Sequence, residues 1–190
     1  MRADLYDYDG TICPGETGTA FWLYCLARRP YIFIFMPLQF IGILLYLFGS
    51  DDKPAARRIT VYCFLRAVDG EKLAQRFAEK RVRKTFPYFL ERDRSRPTVV
   101  CSASPEFLLR PICNALGAEY LIGTDIDPKT GVMRGKACKE KEKVRRLHEA
   151  LPEVTYENVY SDSLRHDAFI LKLGKTAYRI VRGIPKEIQI

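Results

Sequence analysis

From residue 98 onward the chain alternates short β-type apolar runs with segments of helical pattern, and no other feature constrains its fold so strongly. Thr98 to Cys101, Glu119 to Gly123, Thr155 to Tyr160 and Ala177 to Val181 read as strands, being apolar stretches bounded by turn-forming or charged residues. Between them Pro105 to Leu116 reads as a helix started by Ser104 with Pro105 at its first position, and Cys138 to Leu151 and Leu164 to Leu173 are helical in pattern. Asp125 to Gly135 reads as a hairpin turning near Pro128, Lys129 and Gly131. A further strand, Ala3 to Tyr8, opens the chain and stops at Asp9-Gly10-Thr11. Strands separated by helices are joined by crossovers, so the expected fold class is α/β, a doubly wound parallel sheet.

One segment interrupts this order. Phe21 to Gly49 is apolar apart from the Arg28-Arg29-Pro30 break, Gln39 and a few small residues, and Tyr31 to Gly49 carries no charge. After Asp51-Asp52 the chain turns basic and helical from Lys53 to Arg96, with Leu73, Phe77, Val82 and Phe86 spaced roughly as one helix face. The expected organisation is an α/β core of residues 1–13 and 97–190 with a helical cap, 14–96, inserted after the first strand.

Composition narrows the function classes. With 190 residues, 47% of them hydrophobic and 28% charged, the chain can bury a core and is neither fibrous nor disordered. Its six cysteines form no C-x-x-C pair and it has two histidines, which argues against zinc sites and a disulfide framework and for a reducing cytosol. Met1 to Ile12 puts acidic residues where a signal peptide has basic ones, so no export is expected. The net charge of +8 comes without a basic-aromatic motif or a groove-reading helix, so no nucleic-acid partner is expected.

In open α/β sheets, ligands bind beyond the carboxyl ends of the strands. Those ends carry Asp7 and Asp9, then Ser102, then Asp162. Two carboxylates one residue apart on a sharp turn offer a nucleophile and a proton donor, and a third can complete a Mg²⁺ site. Two other readings fail. An EF-hand loop from Asp7 needs Gly and Glu where Ile12 and Gly18 stand, and Gly131 to Lys136 has three residues between its glycines where a phosphate loop needs four.

Taken together, the residues resemble the haloacid dehalogenase superfamily in its phosphoserine-phosphatase-like branch. Asp7-Tyr8-Asp9-Gly10-Thr11 resembles the first family motif, D-x-D-G-T. Ser102 in Val99 to Pro105 resembles the second, Lys143 in Cys138 to Leu147 the third, and Asp162 in Tyr160-Ser161-Asp162-Ser163 the fourth. The resemblance implies a Rossmann-like core and a phosphomonoester hydrolase working through an aspartyl-phosphate. It casts Asp7 as nucleophile and Asp9 as acid and then base. Ser102 and Lys143 would bind the phosphoryl oxygens, with Gly10 and Thr11 also at the substrate. Mg²⁺ would be held by Asp7, the backbone carbonyl of Asp9, and Asp162. One departure stands out: the family has an aspartate four residues after the one matching Asp162, whereas this chain has His166 there and Asp167 next, so either weaker metal binding or a shifted turn that brings Asp167 into use beside the metal is expected.

The apolar segment raises the question of a membrane. Roughly 20 apolar residues cross a bilayer core, and Tyr31 to Gly49 approaches that length. A single crossing would put Asp7 and Ser102 on opposite sides, so the expected form is a re-entrant or in-plane helical pair, bent near Pro30 or Pro37. Arg28 and Arg29 before it and Lys53, Arg57 and Arg58 after it suit two cytoplasmic ends. In this arrangement the chain is similar to the phosphatidylglycerophosphatase C group, which implies a membrane lipid phosphate as substrate and a peripheral or monotopic place on the cytoplasmic face. The alternatives are a cytosolic phosphatase for a small metabolite such as phosphoserine, and a catalytically impaired homologue that only binds phosphate or lipid.

Overall fold

The computed structural model describes residues 1–48 and 61–189, so the flanking residues Gly49, Lys53, Arg57 and Arg58 lie outside the described residues. Six strands, β1 (Arg2–Tyr6), β2 (Thr98–Pro105), β3 (Tyr120–Thr124), β4 (Thr155–Ser161), β5 (Gly174–Val181) and β6 (Ile184–Ile188), form one sheet in the order β3-β2-β1-β4-β5-β6. The first five are parallel and β6 is antiparallel to β5. The expected doubly wound α/β class is therefore observed. β1 and β2 are buried almost throughout, as strands covered on both faces must be. Register aligns Tyr6, Tyr160 and Tyr178 across β1, β4 and β5, and their rings stack at 4.4 and 4.8 Å.

Helix α1 (Thr17–Arg28) is followed by a 3₁₀ turn, Pro30–Phe35, and then by α2 (Met36–Phe48). The charge-free run is thus broken where Pro30 opens the tight turn and Pro37 sits in the first turn of α2. Among the described residues no helix is long and apolar enough to cross a membrane. A 3₁₀ turn at Cys63–Ala67 leads to α3 (Gly70–Val82), capped by Asp69, whose side chain accepts from the Lys72 N–H at 3.0 Å. A single turn, α4 (Pro87–Leu90), returns the chain to the sheet. Phe21, Cys25, Ile32, Phe64, Leu65, Leu73 and Phe77 bury one another in a core of their own. They meet the α/β layers through Leu108 of α5 (Glu106–Leu116). Helix α6 (Lys141–Ala150) and the short α7 (Ala168–Leu171) complete the layers.

Several boundaries differ from the sequence pattern. β2 runs on through Ser104 and Pro105, and Ser104 does not cap α5, because its hydroxyl is spent on Asp9. Phe86 precedes α4 and lies on no helix. α6 starts at Lys141 and α7 is one turn where a longer helix was expected, because 162–167 folds as a turn around the Ser161 hydroxyl. β6 was not expected at all. Its Pro185, Lys186 and Glu187 suit an exposed edge, and Arg182 and Gly183 both take positive φ (53° and 79°), the geometry of a tight hairpin turn.

Candidate active site

Asp7 follows directly on β1, where Tyr6 is paired with both Val100 of β2 and Tyr160 of β4. The parallel register therefore brings Asp7, Ser102 and Asp162 to one edge of the sheet. The sheet order reverses between β1 and β4, and a crevice opens at such a switch point. A cavity of about 910 Å³ lies there, lined by Asp7, Asp9, Ser102, Lys143 and Asp162 among others.

Of the basic residues around α6, Lys143 is the one turned inward, with 3% exposure. Its ammonium donates to Asp7 Oδ1 and to Asp167 Oδ1, each at 2.7 Å. Burial alone would depress the lysine, but Asp7 and Asp167 outweigh it and hold it above its ordinary value. Burial pushes the Asp7 carboxyl up to about 7 against the opposing pull of Lys143, with Asp167 adding to the rise. Burial, and then Asp167, also raises Asp162. Two carboxylates share one ammonium, so the pocket holds excess negative charge.

Asp167, not His166, occupies the inner position. Its Oδ2 accepts from the Ser161 hydroxyl at 2.7 Å, while the His166 side chain is 70% exposed, with Nδ1 4.0 Å from Glu140. The shift follows from the turn after β4, where Ser163 N donates to Ser161 Oγ and His166 N to Ser163 Oγ. Gly10 and Thr11 do not line the cavity. Thr11 is fully buried, accepts from Asp162 N at 2.9 Å, and has its hydroxyl 3.4 Å from Asp7 Oδ2 and 3.5 Å from Asp162 Oδ1. Gly10 gives Asp162 its room, because a Cβ there would lie 2.3 Å from Asp162 Oδ2.

The Asp9 carboxylate points away from this group. Oδ1 accepts from Thr17 N at 2.7 Å and from the Thr17 hydroxyl, and Oδ2 accepts from the Ser104 hydroxyl. Arg81 Nη2 stands 3.7 Å from Oδ1. Neither Thr17 nor Arg81 was singled out by the sequence, since one arginine among the many basic residues of 53–96 carries no signal. Ser104 carries only a helix-cap signal in the sequence.

Among the described residues no three His, Cys, Asp or Glu side chains converge as a ready metal cluster. The donors still fit Mg²⁺, which takes one or two carboxylates and completes its shell with water and substrate oxygens. Asp7 Oδ2 and Asp162 Oδ1 both stand within 3.5 Å of the Thr11 hydroxyl, and the uncompensated charge of these two neighbouring carboxylates favours a cation.

Carboxylates, a serine hydroxyl and a buried lysine gathered at the switch point of a doubly wound sheet define a hydrolase-type α/β active site. A family model described as haloacid dehalogenase-like hydrolase matches residues 5–168, and the chain belongs to that family. It is similar to Protein CicA of Caulobacter vibrioides, at 27% identity over 195 residues, covering 95% of this chain and 86% of that protein. A solved protein of unknown function from Bordetella pertussis Tohama I shares the fold with a TM-score of 0.68 at 21% identity, covering 93% of this chain and 88% of that one. A phosphoserine phosphohydrolase-like protein from Francisella tularensis does so with a TM-score of 0.58 at 14% identity, covering 97% and 89%.

Proposed function

We propose that this hydrolase is a Mg²⁺-dependent phosphomonoesterase working through an aspartyl-phosphate, with residues 14–96 as the cap over its site and a membrane lipid phosphate as its substrate. Asp7 attacks phosphorus, and the bond from phosphorus to the leaving oxygen breaks as Asp9 gives that oxygen a proton. Asp9, now ionised, then takes a proton from the water that attacks phosphorus and frees Asp7. Ser102 and Lys143 hold the phosphoryl oxygens, and Asp167 and Ser161 keep Lys143 in place. Mg²⁺, held by Asp7, Asp162 and the Asp9 carbonyl, would neutralise charge on the transferring group. Phosphoryl transfer is accelerated chiefly by such positioning and charge neutralisation.

One observation carries the lipid assignment: the wall facing the carboxylates is apolar and doubles as outer surface. Trp22, Met36, Phe40 and Ile43 line the same cavity, and Phe40 is 61% exposed. Tyr31, Phe33, Ile34 and Ile41, close by in the chain, are exposed as well, and exposed apolar side chains gathered in this way mark an interaction surface. Gln39 faces inward instead, accepting from Trp22 Nε1 at 3.2 Å and donating to the Val61 carbonyl at 2.8 Å, so α2 is anchored on one side and apolar on the other. Exposed Arg28, Arg29 and Arg66 flank this face, Arg66 through the bond from Tyr31 to the Ala67 carbonyl. Such a surface suits anionic headgroups, and phosphatidylglycerophosphate, to be converted to phosphatidylglycerol, meets both demands.

The test is phosphate release with Mg²⁺ from phosphatidylglycerophosphate in mixed micelles and from phosphoserine, wild type beside Asp7→Asn. Turnover of the lipid, abolished in the variant, is the expected result. Turnover of phosphoserine alone would leave a metabolite phosphatase, and turnover of neither would leave a binding protein. Ile34→Asp should weaken sedimentation with anionic vesicles while hydrolysis of soluble p-nitrophenyl phosphate persists.

A further inference from the structure

Arg81 is almost fully buried on α3, at 4% exposure, and does not line the cavity, yet it reaches the group that would transfer protons. Nη1 donates to the Pro14 carbonyl at 3.1 Å, and Nη2 to the Gly15 carbonyl at 3.3 Å and to Thr17 Oγ1 at 3.1 Å. Thr17, fully buried, passes this restraint on by donating its backbone N–H and its hydroxyl to Asp9 Oδ1. Ser104 holds the other carboxylate oxygen from β2. An arginine is costly to bury, and its fork here satisfies acceptors that a lysine could not span.

We propose that Arg81 is a positioning residue for Asp9: a cation from the inserted helices, absent from the substrate cavity, that fixes the acid-base carboxylate through Thr17. The inference rests on the phosphomonoesterase reading. Its chemical consequence is specific. In the first step the leaving oxygen departs with a proton from Asp9, so an aim lost at Asp9 matters most where that oxygen is strongly basic and least where it leaves readily as an anion. A general acid contributes typically 10²–10⁴-fold, and it must lie within hydrogen-bond reach of the oxygen it protonates. Phosphoryl binding by Ser102 and Lys143 is untouched, so KM should hold.

The experiment compares kcat/KM for hexyl phosphate, a poor leaving group, with p-nitrophenyl phosphate, a good one, in wild type, Arg81→Met, Arg81→Lys, Thr17→Val and Asp9→Asn, all with Mg²⁺. Arg81→Met and Thr17→Val should lose on the order of 100-fold on hexyl phosphate and less than about threefold on p-nitrophenyl phosphate. Arg81→Lys should fall between wild type and Arg81→Met. Equal losses on both substrates would make Arg81 merely structural and overturn the inference, as would no loss. If Arg81→Met fails to fold, Thr17→Val decides by the same ratio. If Asp9→Asn itself shows no leaving-group bias, the acid-base reading has failed. If Asp9→Asn shows it and the other two do not, the role of Arg81 alone has failed.

Discussion

Replacing Asp7 by asparagine should abolish turnover and yet stabilise the metal-free protein at neutral pH. Asn keeps the shape and removes a carboxylate that the native site holds at a cost. Burial raises the Asp7 carboxyl to about 7, against an ordinary value of about 3.9 in an unfolded chain. The native state then binds this proton more tightly than the unfolded state, so Asp7's contribution to stability is highest at low pH and falls as pH rises through that interval. At about 1.36 kcal/mol for each tenfold in proton affinity, ionising Asp7 costs the native state at most about 4 kcal/mol, the smaller part of it already incurred at pH 5. The variant forfeits its contact with Lys143, but Lys143 keeps Asp167 as a single, matched partner. The stability difference, variant minus wild type, should therefore grow by about 2–3 kcal/mol from pH 5 to pH 8. Urea unfolding at both pH values in EDTA measures it. A difference that stays flat or shrinks would refute the excess negative charge assigned to this site. Adding Mg²⁺ should then stabilise wild type more than the variant, because a ligand that binds only the native state adds RT ln(1 + [L]/Kd).

Other outcomes follow from the same contacts. Lys143→Met leaves Asp7 and Asp167 buried without their cation, and should cost about 3–5 kcal/mol in urea unfolding together with all phosphate release. Gly131→Ala meets a φ of +72° and would set a Cβ 2.1 Å from the Tyr62 carbonyl oxygen, so the 125–135 hairpin must leave the 62–63 backbone; a loss above about 2 kcal/mol is expected, and an unchanged denaturation midpoint would count against this contact. Phe21→Ala empties the centre of the ring cluster with Phe64, Phe77 and Phe107, and should cost about 3–5 kcal/mol by the same measurement.

Much of the molecule was legible in one dimension, because the signals involved are local. Alternating apolar runs and helical patterns give the parallel sheet, and Asp7 and Asp162 fall at strand ends because β1 and β4 stop beside them, whereas Ser102 lies within β2, which continues to Pro105. Lys143 could be chosen among its basic neighbours only through family spacing, since burial of one side chain on α6 depends on what the helix is laid against. Pattern alone could break the charge-free run at its prolines, but the inward tie from Gln39 to Trp22 and Val61 comes from elements distant in sequence. The same holds at both ends of the site. Asp167 replaces His166 because the Ser161 hydroxyl sets the turn, and Arg81 meets Asp9 across 72 residues of chain because α3 is laid over the start of α1. Sequence determined which residues could do chemistry and which strand ends present them. Tertiary packing decided which charges are compensated, which way each carboxylate faces and which apolar side chains stay outside, because desolvation and long-range hydrogen bonds arise only once distant segments meet.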